Sequence, residues 1–591
     1  MSPRNSSARG SAGPSKLSCS SLYTAFELGY HGIMRHTTST LALVSLLVTA
    51  SCFAAGCKND PKPSPPGGAG GSGGIGGSGG IGGSGGIGGS GGIGGSGGIG
   101  GSGGIGGSGG IGGAGGVGGI GGAGGAGGIG GAGGAGGIGG AGGTGGSGGS
   151  GGSGGGLWAK VFGGDFYDGS RSVALDPAGN VLLAGEFART INLGGATFQS
   201  NNGDMFLAKF DKNGAHLWSK AYTSSSPVTH ALAVIADENG AIYLTGVVSD
   251  STDFGGTILT PTGGGVDIFL VKIDANGNTS WAKSFGGSEW QSPWAMAARP
   301  GGGVVLVGDF RETVSFGGST LTSSGSRDMF VASIDGAGNH VFSQGFGDGA
   351  DQIGTGVGVD AQGNVYVAAG VQGTIDFGSN VLSSAAGSSD LAVAKFGPTG
   401  VHAWSKIFGN AKVQTADSLA VAPNGDVLVT GETADPVDFG DGTPKGPPAW
   451  KGFYLLAMDG NGNHRWVRQW GNGETPYPLR VAVDPFGNAL LTTGFLGTLD
   501  LGGGAMTTSS ASEYDVFVLK LSPTGDHVWS QRYGDSTQGD ATQYSSGIVA
   551  DGTGNVYVCG GMDGVMDFGT GNLVSAGVPA ALGAFIAKIA P

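Results

Sequence analysis

The sequence predicts an all-β fold, a seven-bladed β-propeller with four-stranded blades, on three observations. A tryptophan-centred strand recurs at Trp158, Trp218, Trp281, Trp404, Trp466 and Trp529, with Phe342 in the same place, at spacings of 60 to 63 residues. Short apolar strands between these positions are punctuated by two recurring tight-turn signatures, such as "DPAGN" and "DKNG". The chain stops at "GAFIAKIAP", where a tryptophan strand would be due, whereas the first recognisable strand, "LWAKVF", is a tryptophan strand with no partner before it. Repeats of this length built from short strands are the mark of sheets arranged radially around a channel.

Each unit reads as four strands. Strand A, "SVALD", reaches strand B, "NVLLAGEF", through Asp176 to Asn180, and "DAQGN", "DPFGN" and "DGTGN" stand at the same turn later. Strand C, "MFLAKFD", passes through "DKNG" into strand D, "HLWSKAY", and "DANG" and "DGNG" recur there. The glycine of each turn supplies the positive φ that a bulged hairpin needs. Apolar alternation along C and D suits sheets stacked face to face. The terminal C strand, Ala584 to Ile589, and the opening D strand, Leu157 to Phe162, are expected to complete one blade, so that the ring closes with no free seam. This pattern resembles the bacterial seven-bladed propeller repeat of extracytoplasmic proteins over residues 157–591; the resemblance implies the fold and carries no activity.

The N-terminal part is of another kind. From Met34, "MRHTTSTLALVSLLVTASCFAAGC" has a basic start, an apolar run from Leu41 to Val48 and small residues, which is a secretory signal over 34–56. Met34 is expected to be the true start, with 1–33 an upstream over-extension. The run is too short for a permanent membrane span. "FAAGCKND" resembles the lipobox of bacterial lipoproteins, although leucine is commoner at the position of Ala54. The resemblance implies acylation of Cys57, a mature N-terminus over 57–66, and an extracytoplasmic protein held to the bacterial membrane by lipid, on the outer membrane or cell surface. Only one of the four cysteines, Cys559, lies beyond this region, which excludes a disulfide within the repeats; inside "NVYVCGG" it reads as a buried small hydrophobe.

Residues 67–156 form a low-complexity tract. From Gly67 to Gly155 every non-glycine residue falls on a position divisible by three, a strict GGX array. It lacks proline and holds nothing larger than isoleucine, so it cannot bury a core and is expected to be a disordered tether. As a glycine-rich coil it would have an r.m.s. span of roughly 50 Å.

Up-and-down strand order places the AB and CD turns on one face and the BC and DA connections on the other. The BC connections carry a recurring "INLGG", "TDFGG" or "VSFGG", read as a short hairpin or buttress, whereas the DA connections differ in every blade. Variable loops on a regular scaffold are how binding surfaces are built. The candidate ligand contacts are the aromatic Phe166, Tyr167, Trp290, Trp294, Tyr477 and Tyr544, with Asp168, Glu289, Asp351 and Asp540 as polar partners.

Chemistry beyond binding finds little support. His216, His340, His402, His464 and His527 each precede the tryptophan position by two residues, but strand D is the outer edge of a blade, and neighbouring edges splay far beyond metal-ligand distances of ~2 Å. No calcium-loop spacing with a following carboxylate occurs at the "DKNG" turns, and no metal or other cofactor is expected. "AKFDKNGAHLW" partly resembles the tryptophan-docking motif of quinoprotein propellers at Asp211, Gly214 and Trp218, with one residue lost and no vicinal cysteines. A net charge of −14 disfavours nucleic acid as a partner. The function expected is therefore a monomeric, lipid-anchored binding or interaction module for a protein or glycan. The alternative class is an extracytoplasmic propeller enzyme, quinone-dependent or glycan-active, for which the sequence offers no catalytic constellation.

Overall fold

A computed structural model describes residues 155–591, apart from 164–165, 201–202, 227, 386, 448, 475–476, 511, 536–541 and 576–581. The signal segment, Cys57 and the glycine tract through residue 154 lie outside the described residues.

Seven four-stranded antiparallel sheets follow one another in the chain. In blade 1 the order is A, Asp168–Leu175; B, Val181–Phe187; C, Asp204–Phe210; and D, His216–Tyr222. The A strands of blades 2 to 7 are His230–Ala236, Gln291–Ala298, Gln352–Val359, Ser418–Val421, Tyr477–Val483 and Gln543–Ala550. Each A strand touches the A strand of the next blade, and the last touches the first, so they form the inner wall of a closed ring. Serines stitch this wall: Ser546 Oγ donates to Ser170 O at 2.5 Å, and Ser172 Oγ accepts from Val234 N at 3.1 Å.

Blade 7 is completed by the two ends of the repeat region, as the sequence predicts. Gly156–Phe162 pairs antiparallel with Gly583–Ile589, Trp158 opposite Lys588 and Phe162 opposite Ala584. The register is that of an ordinary blade, since Trp218 stands opposite Lys209 in blade 1. Ala590 N adds a bond of 2.9 Å to Gly155 O.

The apolar residues of strands B and C point to both sheet faces and bury between blades. Seven apolar clusters result among the described residues, each lying between a different pair of adjacent blades. The strand D tryptophans belong to these interfaces. Trp158, Trp218, Trp281, Trp404 and Trp466 donate their indole N–H to a CD-turn carbonyl of the next blade, at Lys212, Ala275, Gly336, Gly460 and Pro523, over 2.9 to 3.4 Å. Where Phe342 replaces tryptophan, Gln344 Nε2 reaches Gly400 O at 3.1 Å instead. Trp529 is 2 % exposed, and its indole N–H has no acceptor among the described residues. Blade 7 joins two separate strands where the other blades have a CD turn, so among the described residues no turn carbonyl serves Trp529. A strand C lysine shares this duty: Lys209, Lys272, Lys395 and Lys588 donate to the same neighbouring turns.

The turns explain the D-x-x-G-N repeat. Asp176 Oδ1 accepts from the backbone of Ala178 and Asn180, Asn180 Nδ2 donates to Asp176 Oδ2, and Gly179 holds φ at 79°. Gly525, in a CD turn, has the same φ of 79°, but a Cβ there would also lie 2.6 Å from Trp466. Gly179→Ala is therefore expected to cost about 1–2 kcal/mol for the left-handed backbone alone. Gly525→Ala is expected to cost clearly more, because it also pushes apart blades 5 and 6; equal losses in urea melts would contradict the docking role of the turn.

The BC hairpins are the predicted buttresses. In blade 1, Thr190–Asn192 pairs with Thr197–Gln199. The hairpin lies back along strand D, so that a Cβ at Gly195 would stand 2.5 Å from the His216 ring. His216, His340 and His527 each bond a serine three residues on, Ser219, Ser343 and Ser530, at 3.0 to 3.1 Å. The hairpin phenylalanines close the blade interfaces: Phe254 lies 5.1 Å from Tyr222 of blade 1 and 4.8 Å from Phe269 of its own blade. Covering strand D in this way protects an edge that would otherwise invite pairing with another chain.

Candidate functional site

The DA and BC connections share one face, and the sequence pins them from beneath. At the start of strand A stands a buried polar residue, Gln291, Gln352 and Gln543, with Asp168 in blade 1; in blade 5 Gln414 takes this place four residues ahead of the strand. Gln414 Oε1 accepts from Asn410 N at 2.9 Å in the preceding DA connection, while its Nε2 donates to Ala434 O at 3.3 Å, where strand B gives way to the BC connection. Gln352 does the same with Asp348 N and Gln372 O. One side chain thus holds two loops.

Three residues further along, most A strands carry a β-bulge, at Arg171, Leu232, Trp294, Thr355, Leu479 and Ser546. A bulge leaves one residue unpaired and re-aims its side chain, here on the innermost strand. Trp294 is 46 % exposed, and its indole N–H donates to Asp309 Oδ1 at 2.5 Å. Burial pushes the Asp309 carboxyl above its ordinary value in spite of that bond.

Asp309 has counterparts at the end of strand B in alternate blades, Glu186 in "AGEF" and Glu432 in "TGET". Arg171 Nε donates to Glu186 at 2.9 Å, and His230 Nδ1 of the next blade lies 3.2 Å from it. Burial alone would raise the Glu186 carboxyl, but the adjacent Arg171 and His230 hold it far below the usual range. The Tyr167 and Tyr544 hydroxyls meet beside this group at 3.1 Å. On the opposite side of the ring Lys451 lies 3.3 Å from Glu432; between blades 6 and 7 Arg480 Nε donates to Ser546 O at 3.1 Å. Burial raises both Glu432 and its neighbour Asp417.

The sequence candidates take up different stations. Phe166 is 54 % exposed, with the Arg189 guanidinium 4.8 Å over its ring. Glu289 is exposed in the connection into blade 3, and Trp290 is half-buried, its carbonyl accepting from Arg311 N. Asp351 is held by Arg327 Nη2 at 2.7 Å. Asp168 is fully buried, its carboxylate accepting from Ala188 N at 3.1 Å. Trp294 and Tyr544 belong to strand A, not to a loop, because the bulge lets A begin earlier than "SVALD" implies. Tyr477 opens an A strand, and its side chain lies outside the described residues, as does Asp540.

Sequence reasoning missed Arg171, Glu186, His230, Asp309 and Glu432, for which the recurring Gly-Asp or Gly-Glu at the end of strand B was the available signal. It also missed Trp450 in "GPPAWKG", 71 % exposed on the same face beside Gly473. Cys559 is buried against Ser546, and burial pushes its thiol up to about 12, which leaves no nucleophile there.

No protein-family model and no curated protein matches the chain. Solved structures with a similar course of the backbone include the hydrazine synthase of Kuenenia stuttgartiensis, at 12% identity over 66% of this chain and 92% of that one, with a TM-score of 0.37. A streptogramin B lyase matches at 8% identity over 73% and 97%, TM-score 0.35. The Pan2 WD40 domain of Neurospora crassa matches at 10% over 71% and 88%, TM-score 0.34. The class of protein defined by the chain's own strand order is a seven-bladed β-propeller with four-stranded blades.

Proposed function

We propose that this chain is a binding module displayed at the cell surface, a propeller carried on a glycine tether and anchored through a lipid on Cys57. The observation that carries the reading is the contrast between the two faces. On the AB and CD face, the aspartates and asparagines of the turns are consumed by their own turn, as at Asp176 and Asn180, and among the described residues Phe486 is the one strongly exposed aromatic ring. On the DA and BC face, Phe166, Trp294 and Trp450 are exposed on connections and strands that a buried aspartate, Asp168, or a buried glutamine, Gln291 or Gln414, holds in place. Exposed aromatic side chains on a rigid support are the composition of binding hot spots.

The chain enters the ring at Gly156, opposite Ile589 and so at the CD-turn face. A lipid anchor upstream would leave the DA face pointing away from the membrane, with the tract supplying reach and rotational freedom. Cys57→Ser is expected to abolish labelling by a palmitate analogue and to move the protein from the membrane to the soluble fraction, with its melting temperature unchanged. Retention in the membrane without a lipid label would overturn the anchor.

A further inference from the structure

Resting on that reading of the DA face, we infer that its ligand is a neutral glycan chain, received at the mouth of the central channel with Trp294 as the stacking platform. The position of this tryptophan is the first argument. It lies within strand A, Gln291–Ala298, on the inner wall of the ring, and not at a loop tip. A folded protein resting on the outer connections meets Phe166 and Glu289; a slender chain entering the mouth meets Trp294.

The second argument is rigidity. The bulge turns Trp294 out of the ladder, and the bond from its indole N–H to the buried Asp309 fixes the plane of the ring. What remains exposed is an apolar aromatic face with a polar edge already satisfied. Such a face complements the C–H surface of a pyranose ring. Thr355 occupies the corresponding bulge position in the next blade.

The third argument is charge. Several ionic groups around the mouth are already paired with each other: Arg171 and His230 with Glu186, Arg327 with Asp351, Lys451 with Glu432. A charged ligand would have to break one of these pairs and leave a half-buried charge behind, which is costly. A neutral polyhydroxylated ligand can use the same groups as hydrogen-bond partners without separating them.

The test is calorimetric titration of the full chain in detergent with neutral hexasaccharides: β-1,4- and β-1,3-glucan, β-1,4-mannan, xylan and chitin fragments, with oligogalacturonate as the acidic comparison. At least one neutral hexasaccharide is expected to saturate, and oligogalacturonate to bind no better than it. Trp294→Ala is expected to weaken binding at least tenfold, Trp294→Phe to recover part of the loss by keeping an aromatic face, and Phe486→Ala, exposed in an AB turn on the opposite face, to change affinity less than twofold. Melting temperatures of the variants separate lost binding from lost folding. Absence of saturation by every hexasaccharide at about 1 mM, or saturation indifferent to Trp294→Ala, overturns the inference. A folded protein partner that cross-links to the DA loops and ignores Trp294→Ala would refute the glycan and leave the binding face standing. A partner that shields the CD turns would refute the face itself.

Discussion

Deletion of Gly156–Phe162 is expected to abolish the cooperative unfolding transition of the whole ring. These seven residues supply strand D of blade 7, and their removal bares the backbone edge of Gly583–Ile589 along its length. It also removes Trp158, Val161 and Phe162 from the apolar clusters on the two sides of blade 7. Ladder bonds worth about 1 kcal/mol each and apolar side chains worth about 2 kcal/mol each together approach the whole stability of an ordinary domain, about 5–15 kcal/mol. The loss also falls on both neighbouring interfaces, since Trp158 holds the Lys212 turn of blade 1. Halving the glycine tract, in contrast, should leave the melting temperature unchanged. A deletion variant that still melts cooperatively within a few degrees of the parent would show that the ring does not depend on this closure.

Closure was legible in the sequence because it rests on local signals. The D-x-x-G-N turns, the period of the tryptophan and the orphan strands at the two ends are all read without knowing what lies beside what. The same holds for the hairpins, whose "DFGG" motif serves a local packing need: a glycine is required where the strand D histidine crowds it, as Gly195 is by His216.

The polar wall of the mouth was not legible in this way. Glu186 gains meaning from His230, 44 residues further on and in another blade, and Trp294 from Asp309 across a bulge that disrupts the alternation by which strands are recognised. A bulged strand reads as a loop, which is why Trp294 and Tyr544 were placed among the DA connections. The buried glutamines escaped notice for a related reason. Their partners are backbone groups, and backbone leaves no trace in composition. The framework can be inferred from what each residue does to its own neighbourhood; the site depends on which blades adjoin.

Replacing Lys209 with methionine is expected to destabilise the ring by about 3–5 kcal/mol at neutral pH, more than any exposed substitution. Lys209 Nζ lies 2.8 Å from Asp176 Oδ2, both side chains are buried, and the ammonium also donates to Ala275 O of the next blade. The arrangement recurs with Lys520 and Asp484 at 3.1 Å, and with Lys588 and Asp551 at 3.3 Å. Burial by itself would raise the Asp176 carboxyl, but hydrogen bonds from Lys209 and Asn180 hold it below its ordinary value. A carboxyl depressed in the folded state contributes stability that is present above its unfolded pKa, about 3.9, and is lost as the pH falls through the folded value. Without Lys209 the main depressing partner is gone and an uncompensated carboxylate stays buried, so the variant has less of this acid-sensitive stability to lose. The deficit between variant and parent should therefore be largest near neutrality and shrink below about pH 4. The double variant Lys209→Met with Asp176→Asn should regain much of the loss, because it removes the stranded charge. A deficit that stays constant from pH 7 to acid, in urea melts of both proteins, would mean that the lysine acts through its packed stem, and the electrostatic account of this seam would fail.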